Sequence, residues 1–405
     1  MGSRPKFDSR TDWRHLRLAL RLARRGCGTT SPNPAVGAVL VKGGKIIGRG
    51  RTAPAGGPHA EIEALREAQR RGHNSRGATL YVTLEPCCTY GRTPPCTDAI
   101  IGAGIKRVVV GATDPNPKHS GKGFKILKRA GIEVTRGVLA EACTGLNEAF
   151  NHWIVRRTPF VTVKAAMTLD GKIATARGES KWITGEKARA RGMKLRHGAD
   201  AILVGINTIL ADDPGLTART KVEDGTPINR EQGWKVAKPI RRIILDSMAR
   251  TPLTARVVCD KHAALTTIVV GKHAPQSRIA ALARRVNIWT APPAKSAFHI
   301  PHSAINLRWL LKKLGAEDVT SLLVEGGGEV SASFLLGGLA QRVAFFYAPK
   351  ILGGREARKA VAGEGAGSLA TAMQLREIEW KQLGPDLWLT ARVGSAESRP
   401  AKHGQ

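Results

Sequence analysis

Short apolar runs alternate with amphipathic stretches along the whole chain, which is the pattern of an α/β fold with helices covering sheets. Residues 12–25 set Leu16, Leu20 and Ala23 on one helical stripe. AVGAVLV (35–41) reads as a buried strand, KGGK as a hairpin turn, and IIGRG as the start of the partner strand. A helix is expected from His59 to Gly72. The strand over 78–84 enters a proline-rich loop and then the short helix CTDAIIGAG. RVVVGA (107–112), the helical GKGFKILKRAG and the strand IEVTRG follow. One long helical stretch over 139–157 leads to Pro159, where a new apolar strand, FVTVKAAM, opens.

The same alternation resumes beyond Pro159. AILVG (201–205), RRIILDS (241–247), TTIVVG (266–271), SLLVEGGG (321–328), RVAFFYA (342–348) and LWLTARV (387–393) read as strands. GEKARARGMKLRHG, INLRWLLKKLG and EVSASFLLGGL read as helices between them. Residues 218–238 are polar and expected to form an exposed loop. One domain is therefore expected over 1–150 and a second over 158–394, with 395–405 as a disordered tail.

A length of 405 residues exceeds one ordinary core and suits two domains. Hydrophobic residues make up 42% and charged residues 24%, a globular balance. No apolar run approaches the ~20 residues of a membrane span, and MGSRPKFDSRTDW lacks the apolar core of a secretion signal. A cytoplasmic location with no membrane partner is expected. The charge is extreme, with 64 Lys and Arg against 32 Asp and Glu, a net +32. These cations recur as RLARRG, KILKRAG, ALARRV and LLKKLG, beside leucines, so they read as solvated helix faces rather than one binding block. They also make a field that draws in phosphorylated ligands. Aromatic content of 5% is too low for base-stacking platforms, so no nucleic-acid partner is expected.

Three of the six cysteines fall within ten residues, which favours a metal or catalysis over a disulfide framework. His59 stands in P-H-A-E, and Cys87 and Cys96 stand in E-P-C-C-T-Y-G-R-T-P-P-C. A catalytic zinc takes three protein ligands and keeps one position for water, and an imidazole with two thiolates supplies that set. Glu61 follows His59 by two residues. On a helix this is a turn of ~200°, so both reach one site only if His59 lies at the helix start. Glu61 then shuttles a proton from water to a departing amine. Cys88 adjoins Cys87, leaving two thiols for one ligand position; the residue directly after Glu-Pro is the better choice because the proline turn directs it. Cys27, Cys143 and Cys259 have no partners at metal spacing and are expected to be buried small apolar residues.

PNPAVGAVLVKGGKIIGRG, GGPHAEIEAL, YVTLEPCCTYGRTPPCTDAI and GATDPNP together resemble the deaminase half of the bifunctional riboflavin-biosynthesis deaminase–reductases. Other deaminases of the superfamily usually carry PCxxC; here eight residues separate Cys87 from Cys96, and TPPC closes the loop. The resemblance implies a cytidine-deaminase-like three-layer domain with Zn2+ on His59, Cys87 and Cys96 and Glu61 as the catalytic residue. The implied reaction is hydrolysis of the exocyclic 2-amino group of a diamino-hydroxy-pyrimidinone carrying a 5-phosphoribosylamino group. Asn33 is implied to hydrogen-bond the pyrimidine, although an Asn between two prolines also forms turns. Two positions depart from the family. Members often carry a His in the loop before H-A-E and another two residues after the first cysteine, where this chain has Thr52 and Thr89. A hydroxyl still hydrogen-bonds a ribose or phosphate but carries no charge. Arg92 is a candidate to replace a lost phosphate contact.

The second domain offers M-T-L-D-G-K (167–172), A-D-D-P-G-L-T-A-R (211–219) and V-E-G-G-G (324–328). Glycines between a strand and a helix start let backbone N–H groups approach a phosphate, but this is not the G-x-G-x-x-G of a Rossmann domain. Together the three resemble the dihydrofolate-reductase-like half of the same family, over nearly the whole domain. That implies NADPH-dependent hydride delivery to C1′ of the phosphoribosylamino group, giving a ribitylamino chain. By the same resemblance Ala166, Trp182, Thr208, Asp212, Ser247, Gly327, Gly328, Glu329, Val330, Ser331, Ala332 and Ser333 line the NADPH site. Ser180, Arg196, Leu216, Arg219 and Glu325 hold the substrate, and the two arginines suit its phosphate. Asp212 beside Asp213 also reads as a helix or turn cap. Lys164 and Glu325 are both candidates to donate the proton as the ribose opens. A homo-oligomer with paired reductase sheets is also implied.

Overall fold

A computed structural model of the chain describes residues 9–91, 93–221, 234–293 and 305–394. Arg92 and the tail 395–405 lie outside the described residues. The chain divides into two compact units, Met1–Thr158 and Pro159–Gln405.

The first unit runs α1 (Ser9–Arg24), β1 (Gly37–Lys42), β2 (Lys45–Arg51), α2 (Ala60–Arg70), β3 (Thr79–Leu84), α3 (Cys96–Gly102), β4 (Arg107–Ala112), α4 (Lys122–Arg129), β5 (Glu133–Arg136), α5 (Ala140–Leu146) and α6 (Glu148–Arg156). Its sheet has the order β2-β1-β3-β4-β5, with β1 antiparallel to both neighbours and β3, β4 and β5 parallel. Gly43 and Gly44 turn the β1–β2 hairpin at φ 54° and 75°, a left-handed pair that glycine adopts without a Cβ clash. Successive residues of β1 and β4 are buried, so both faces of the sheet are covered and the layers are helix, sheet, helix. Leu16, Ala19, Leu20 and Ala23 of α1 enter this core, which matches the stripe expected from the sequence. Buried Asp12 on the same helix takes both terminal nitrogens of Arg107 at 2.9 and 2.8 Å and the Tyr81 hydroxyl at 3.0 Å, fixing α1 across β3 and β4.

The stretch 139–157 is not one helix. It breaks at Asn147 (φ −109°) because the carboxamide pairs with both backbone groups of Ala35, accepting from its N–H at 2.8 Å and donating to its C=O at 3.0 Å. Two satisfied buried polar groups outweigh the helical hydrogen bonds lost at the break. Two cysteine expectations also fail. Cys143 is buried, but Cys27 and Cys259 are exposed, because neither lies on the inward face of its segment.

The second unit contains β6 (Phe160–Thr168), β7 (Lys172–Ala174), α7 (Glu186–Gly198), β8 (Ala201–Gly205), α8 (Ile206–Asp212), β9 (Ala218–Lys221), β10 (Trp234–Lys238), β11 (Arg241–Leu245) and α9 (Arg256–Cys259). It continues with β12 (Thr266–Val270), α10 (Gln276–Ala283), β13 (Asn287–Thr290), α11 (Leu307–Ala316), β14 (Ser321–Val324), α12 (Gly328–Leu336), β15 (Arg342–Ala348), β16 (Arg358–Lys359), β17 (Leu375–Leu383) and β18 (Asp386–Val393). Nine strands form one sheet in the order β13-β12-β11-β8-β14-β6-β15-β18-β17. All pairings from β13 to β15 are parallel, and β18 and β17 are added antiparallel. The carboxyl ends of seven strands therefore share one edge. Residues 218–238 are not simply a loop: β9 and β10 at its two ends pair antiparallel, through backbone bonds that polar composition does not reveal.

Asn147→Ala leaves a buried N–H and C=O at Ala35 without partners. We expect it to destabilise the first unit by about 2–3 kcal/mol, read as a lower denaturant midpoint for that unit with the second unit's transition unmoved.

Candidate active sites

Three elements deliver the donors of the first site. His59 is the residue before α2, in extended backbone at φ −75° and ψ 164°, so its ring swings across the helix start while Glu61 lies in the first turn. Gly50 of β2 makes this placement possible: a Cβ there would collide with the carbonyl oxygen of Ala60, so glycine lets the start of α2 lie directly on the strand. Cys87 follows the end of β3, and Cys96 opens α3 after Pro95. The Cys96 N–H donates to the Cys87 sulfur at 3.3 Å.

Sγ of Cys87 and Sγ of Cys96 lie 3.5 and 3.3 Å from Nδ1 of His59, and all three donor atoms fall within 4.8 Å of one another. Bonds of ~2.3 Å to sulfur and ~2.0 Å to nitrogen at tetrahedral angles put an N···S pair roughly 3.5 Å apart. The spacing thus fits one zinc ion. Charge points the same way. The Cys96 hydrogen bond, aided by His59, holds the Cys87 thiol down at about 4, whereas Cys96 itself is pushed up by that bond and by burial. Two sulfurs this close compete for one proton, a conflict that a shared cation removes by binding both as thiolates. Nε2 of His59 lies 3.5 Å from the Thr93 hydroxyl, an outer partner that fixes the ring. Cys88 turns away, its sulfur 3.6 Å from Nδ1 of His119.

Glu61 is buried at the same point. Burial, and then the charge on Cys87, push its carboxyl up to about 7, with His59 opposing. Such a group exchanges protons near neutrality. Asn33 is half-buried on the loop between α1 and β1. Thr52 does not face a ligand: it is buried, and its hydroxyl accepts from the Val36 N–H at 3.1 Å.

The second site lies along the carboxyl edge of the parallel strands, where ligands of open α/β sheets bind. Ala166 is near the end of β6, Thr208 is in α8 just after β8, and Ser247 is two residues past β11. Glu325 directly follows β14, and the run Gly327–Ser333 caps and opens α12. Gly327 faces open space, whereas Gly328 packs against the Lys359 carbonyl, so the helix start presents backbone to a free volume. Trp182 is exposed with the Arg189 guanidinium 4.7 Å over its ring. Asp212 ends α8 and pairs with Lys181 at 3.3 Å, while Asp213 is the helix C-cap and accepts from the Arg256 N–H. Asp170 of M-T-L-D-G-K is a tie: it accepts from Thr168 and from the N–H groups of Leu352 and Gly353.

A half-buried charge cluster stands at this edge. Arg196 on α7 grips Glu325 with Nε and a terminal nitrogen, both at 2.8 Å, and gives its remaining terminal nitrogen to the Thr217 carbonyl at 3.1 Å. Nζ of Lys164 stands 3.7 Å from Glu325. Burial alone would raise the Glu325 carboxyl, but Arg196 and Lys164 override it and hold it at about 2. The two substrate-binding candidates Arg196 and Glu325 are thus paired with each other. Arg219 is the more exposed cation; burial and the like charges of Arg196 and Arg256 lower it. Leu216 is buried nearby at φ 45°, and Ser180 is half-buried. The Lys164–Glu325 contact and the approach of His119 to Cys88 join residues far apart in the chain, which no local sequence signal reveals.

Comparison with known proteins gives these sites a family. Residues 9–112 match the cytidine and deoxycytidylate deaminase zinc-binding region, and residues 159–389 match the RibD C-terminal domain. The chain is 43% identical over 376 residues to the riboflavin biosynthesis protein RibD of Aquifex aeolicus, covering 93% of this chain and 97% of that one. It is 41% identical over 383 residues to that of Actinobacillus pleuropneumoniae, covering 95% and 96%. Among solved structures, Acinetobacter baumannii RibD superposes with TM-score 0.80 at 35% identity, covering 96% of this chain and all of that one. A Thermotoga maritima structure described as a diaminohydroxyphosphoribosylaminopyrimidine deaminase/5-amino-6-(5-phosphoribosylamino)uracil reductase matches with TM-score 0.76 at 34% identity, again over 96% and 100%. The chain belongs to the RibD family, joining a deaminase and a reductase domain for riboflavin biosynthesis.

Proposed function

We propose that the chain performs two successive steps on one phosphorylated pyrimidine. The first unit removes an exocyclic amine by hydrolysis, and the second reduces the attached ribosyl group to ribityl. The observation that carries this reading is the convergence of the His59, Cys87 and Cys96 donors beside buried Glu61. The substrate named for the Thermotoga relative has both the amine and the phosphoribosyl arm that such a pair of sites needs.

His59, Cys87 and Cys96 hold zinc, which when bound acts as a Lewis acid that eases ionisation of water near neutral pH. Glu61 takes a proton from the attacking water and gives it to the amine nitrogen as the C–N bond breaks, so ammonia leaves and a carbonyl remains. Asn33 hydrogen-bonds the ring.

In the second unit, Ala166, Trp182, Thr208, Asp212, Ser247 and the Gly327–Ser333 run hold NADPH, which when bound supplies a hydride for C1′. Glu325 stays an anion at working pH, so the proton comes from Lys164, which delivers it to the ribose ring oxygen as that ring opens. Arg196 fixes Glu325 and, with it, holds the substrate. Arg219 meets the phosphate, with Ser180 and Leu216 walling the arm. Six free thiols suit a reducing cytoplasm. The outer strand β17, exposed with Ile378 and Trp380, suits pairing with a second copy. Among the described residues no helix is long and apolar enough to cross a membrane.

Three outcomes test this. Purified protein should carry about one zinc per chain, and Glu61→Gln should stop ammonia release while NADPH oxidation on the deaminated intermediate persists; joint loss of both in folded protein contradicts two independent sites. Glu325→Gln should lower kcat/KM for NADPH oxidation by roughly 100-fold or more, with ammonia release unchanged. The Glu325 carboxylate contributes stability that is complete above its ordinary value of 4.5 and is lost as pH falls through about 2. Acid unfolding of the second unit should therefore steepen across that window in the parent and flatten in Glu325→Gln.

A further inference from the structure

The family resemblance leads one to expect a histidine at positions 52 and 89, where this chain has threonines, and the structure treats the two positions differently. At position 52 the replacement is structural, because the Thr52 hydroxyl is taken up by Val36. At position 89 another residue has moved in. Nε2 of His119 lies 3.5 Å from Oγ1 of Thr89, although the two are 30 residues apart in the chain.

His119 is held there by a built loop. Glu85, buried before Pro86 and Cys87, accepts from the N–H groups of Asp114 (3.2 Å), Gly121 (3.0 Å) and Gly123 (3.0 Å). One carboxylate therefore ties the 114–123 segment to the base of the cysteine loop. Within the segment, Asp114 accepts from the Asn116 N–H, and the Asn116 carbonyl accepts from the His119 N–H at 2.9 Å. The ring itself is oriented. The Cys88 N–H donates to Nδ1 at 3.4 Å, so Nδ1 is the acceptor and Nε2 carries the proton. That proton points toward Thr89, which is exposed, while His119 is half-buried.

Resting on the deaminase reading above, we infer that His119 supplies from the neighbouring loop the imidazole donor missing at position 89, and that it grips the phosphoribosyl arm of the pyrimidine. The choice of arm follows from depth. The reacting amine must sit beside buried Cys96 and Glu61, so the ring lies inward and the arm reaches outward past half-buried His119 to exposed Thr89. A hydroxyl is a modest acceptor; an arm oxygen bearing charge is a stronger one, and Thr89 rotates aside for it. His119 is thus a positioning residue that binds the arm and takes no part in the proton transfers.

The test measures ammonia release from the phosphoribosyl substrate and from the free triaminopyrimidinone base that lacks the arm. His119→Ala should raise KM for the armed substrate about tenfold with a far smaller effect on kcat, and should leave KM for the free base at the parent value. Zinc content and NADPH oxidation report that the variant is folded. Adding Thr89→His to His119→Ala should restore KM, because it returns an imidazole to the same place. An unchanged KM in His119→Ala, an equal penalty on both substrates, or no rescue by Thr89→His overturns the inference while leaving the deaminase reading intact. No ammonia from the zinc-loaded parent overturns that reading, and this inference with it.

Discussion

The constraint on which the first unit depends is that two sulfurs and an imidazole nitrogen must meet in a buried place before any metal compensates them. Uncompensated, these groups repel or compete for protons, as the opposed displacements of Cys87 and Cys96 record. The fold pre-arranges them by starting two helices at one point. α2 brings His59 and Glu61, α3 brings Cys96, and the loop after β3 brings Cys87. Small residues make this approach possible, Gly50 under Ala60 above all. Site and core are therefore one problem: the close packing of α2 on β2 also sets the distance between His59 and the cysteines.

A parallel logic governs the second unit with different chemistry. Seven parallel strands bring their carboxyl ends to one edge, where the candidate residues of this unit gather. In the half-buried Arg196–Glu325–Lys164 cluster the mutual attraction of the ionised groups offsets their desolvation, so its value lies in position. It keeps one carboxylate ionised and the Lys164 Nζ at a fixed place on this edge. The net charge of +32 adds a long-range field suited to phosphorylated ligands.

Most of the architecture was legible in the sequence because its signals are local. Hydrophobic period, the Gly-Gly hairpin and the start of the helix at His59 each follow from a few adjacent residues. What sequence missed depends on long-range contacts. The break at Asn147 arises from a bond to Ala35, more than a hundred residues away. The β9–β10 pair lies in a polar stretch whose pairing uses only backbone. The pairing of Arg196 with Glu325 joins residues 129 apart in the chain, which no local signal reveals. His119 sits in an ordinary loop sequence, and Glu85 folds that loop back against Thr89. The substitutions at 52 and 89 were visible, but their different consequences were not.

The central claim is that His59, Cys87 and Cys96, with Cys88 turned away, form a catalytic zinc site with one open position. X-ray absorption at the zinc edge of the purified protein tests it most directly. The account predicts two sulfur neighbours at ~2.3 Å and two nitrogen or oxygen neighbours at ~2.0 Å. A shell of three or four sulfurs, or protein that releases ammonia with no zinc bound, would contradict it.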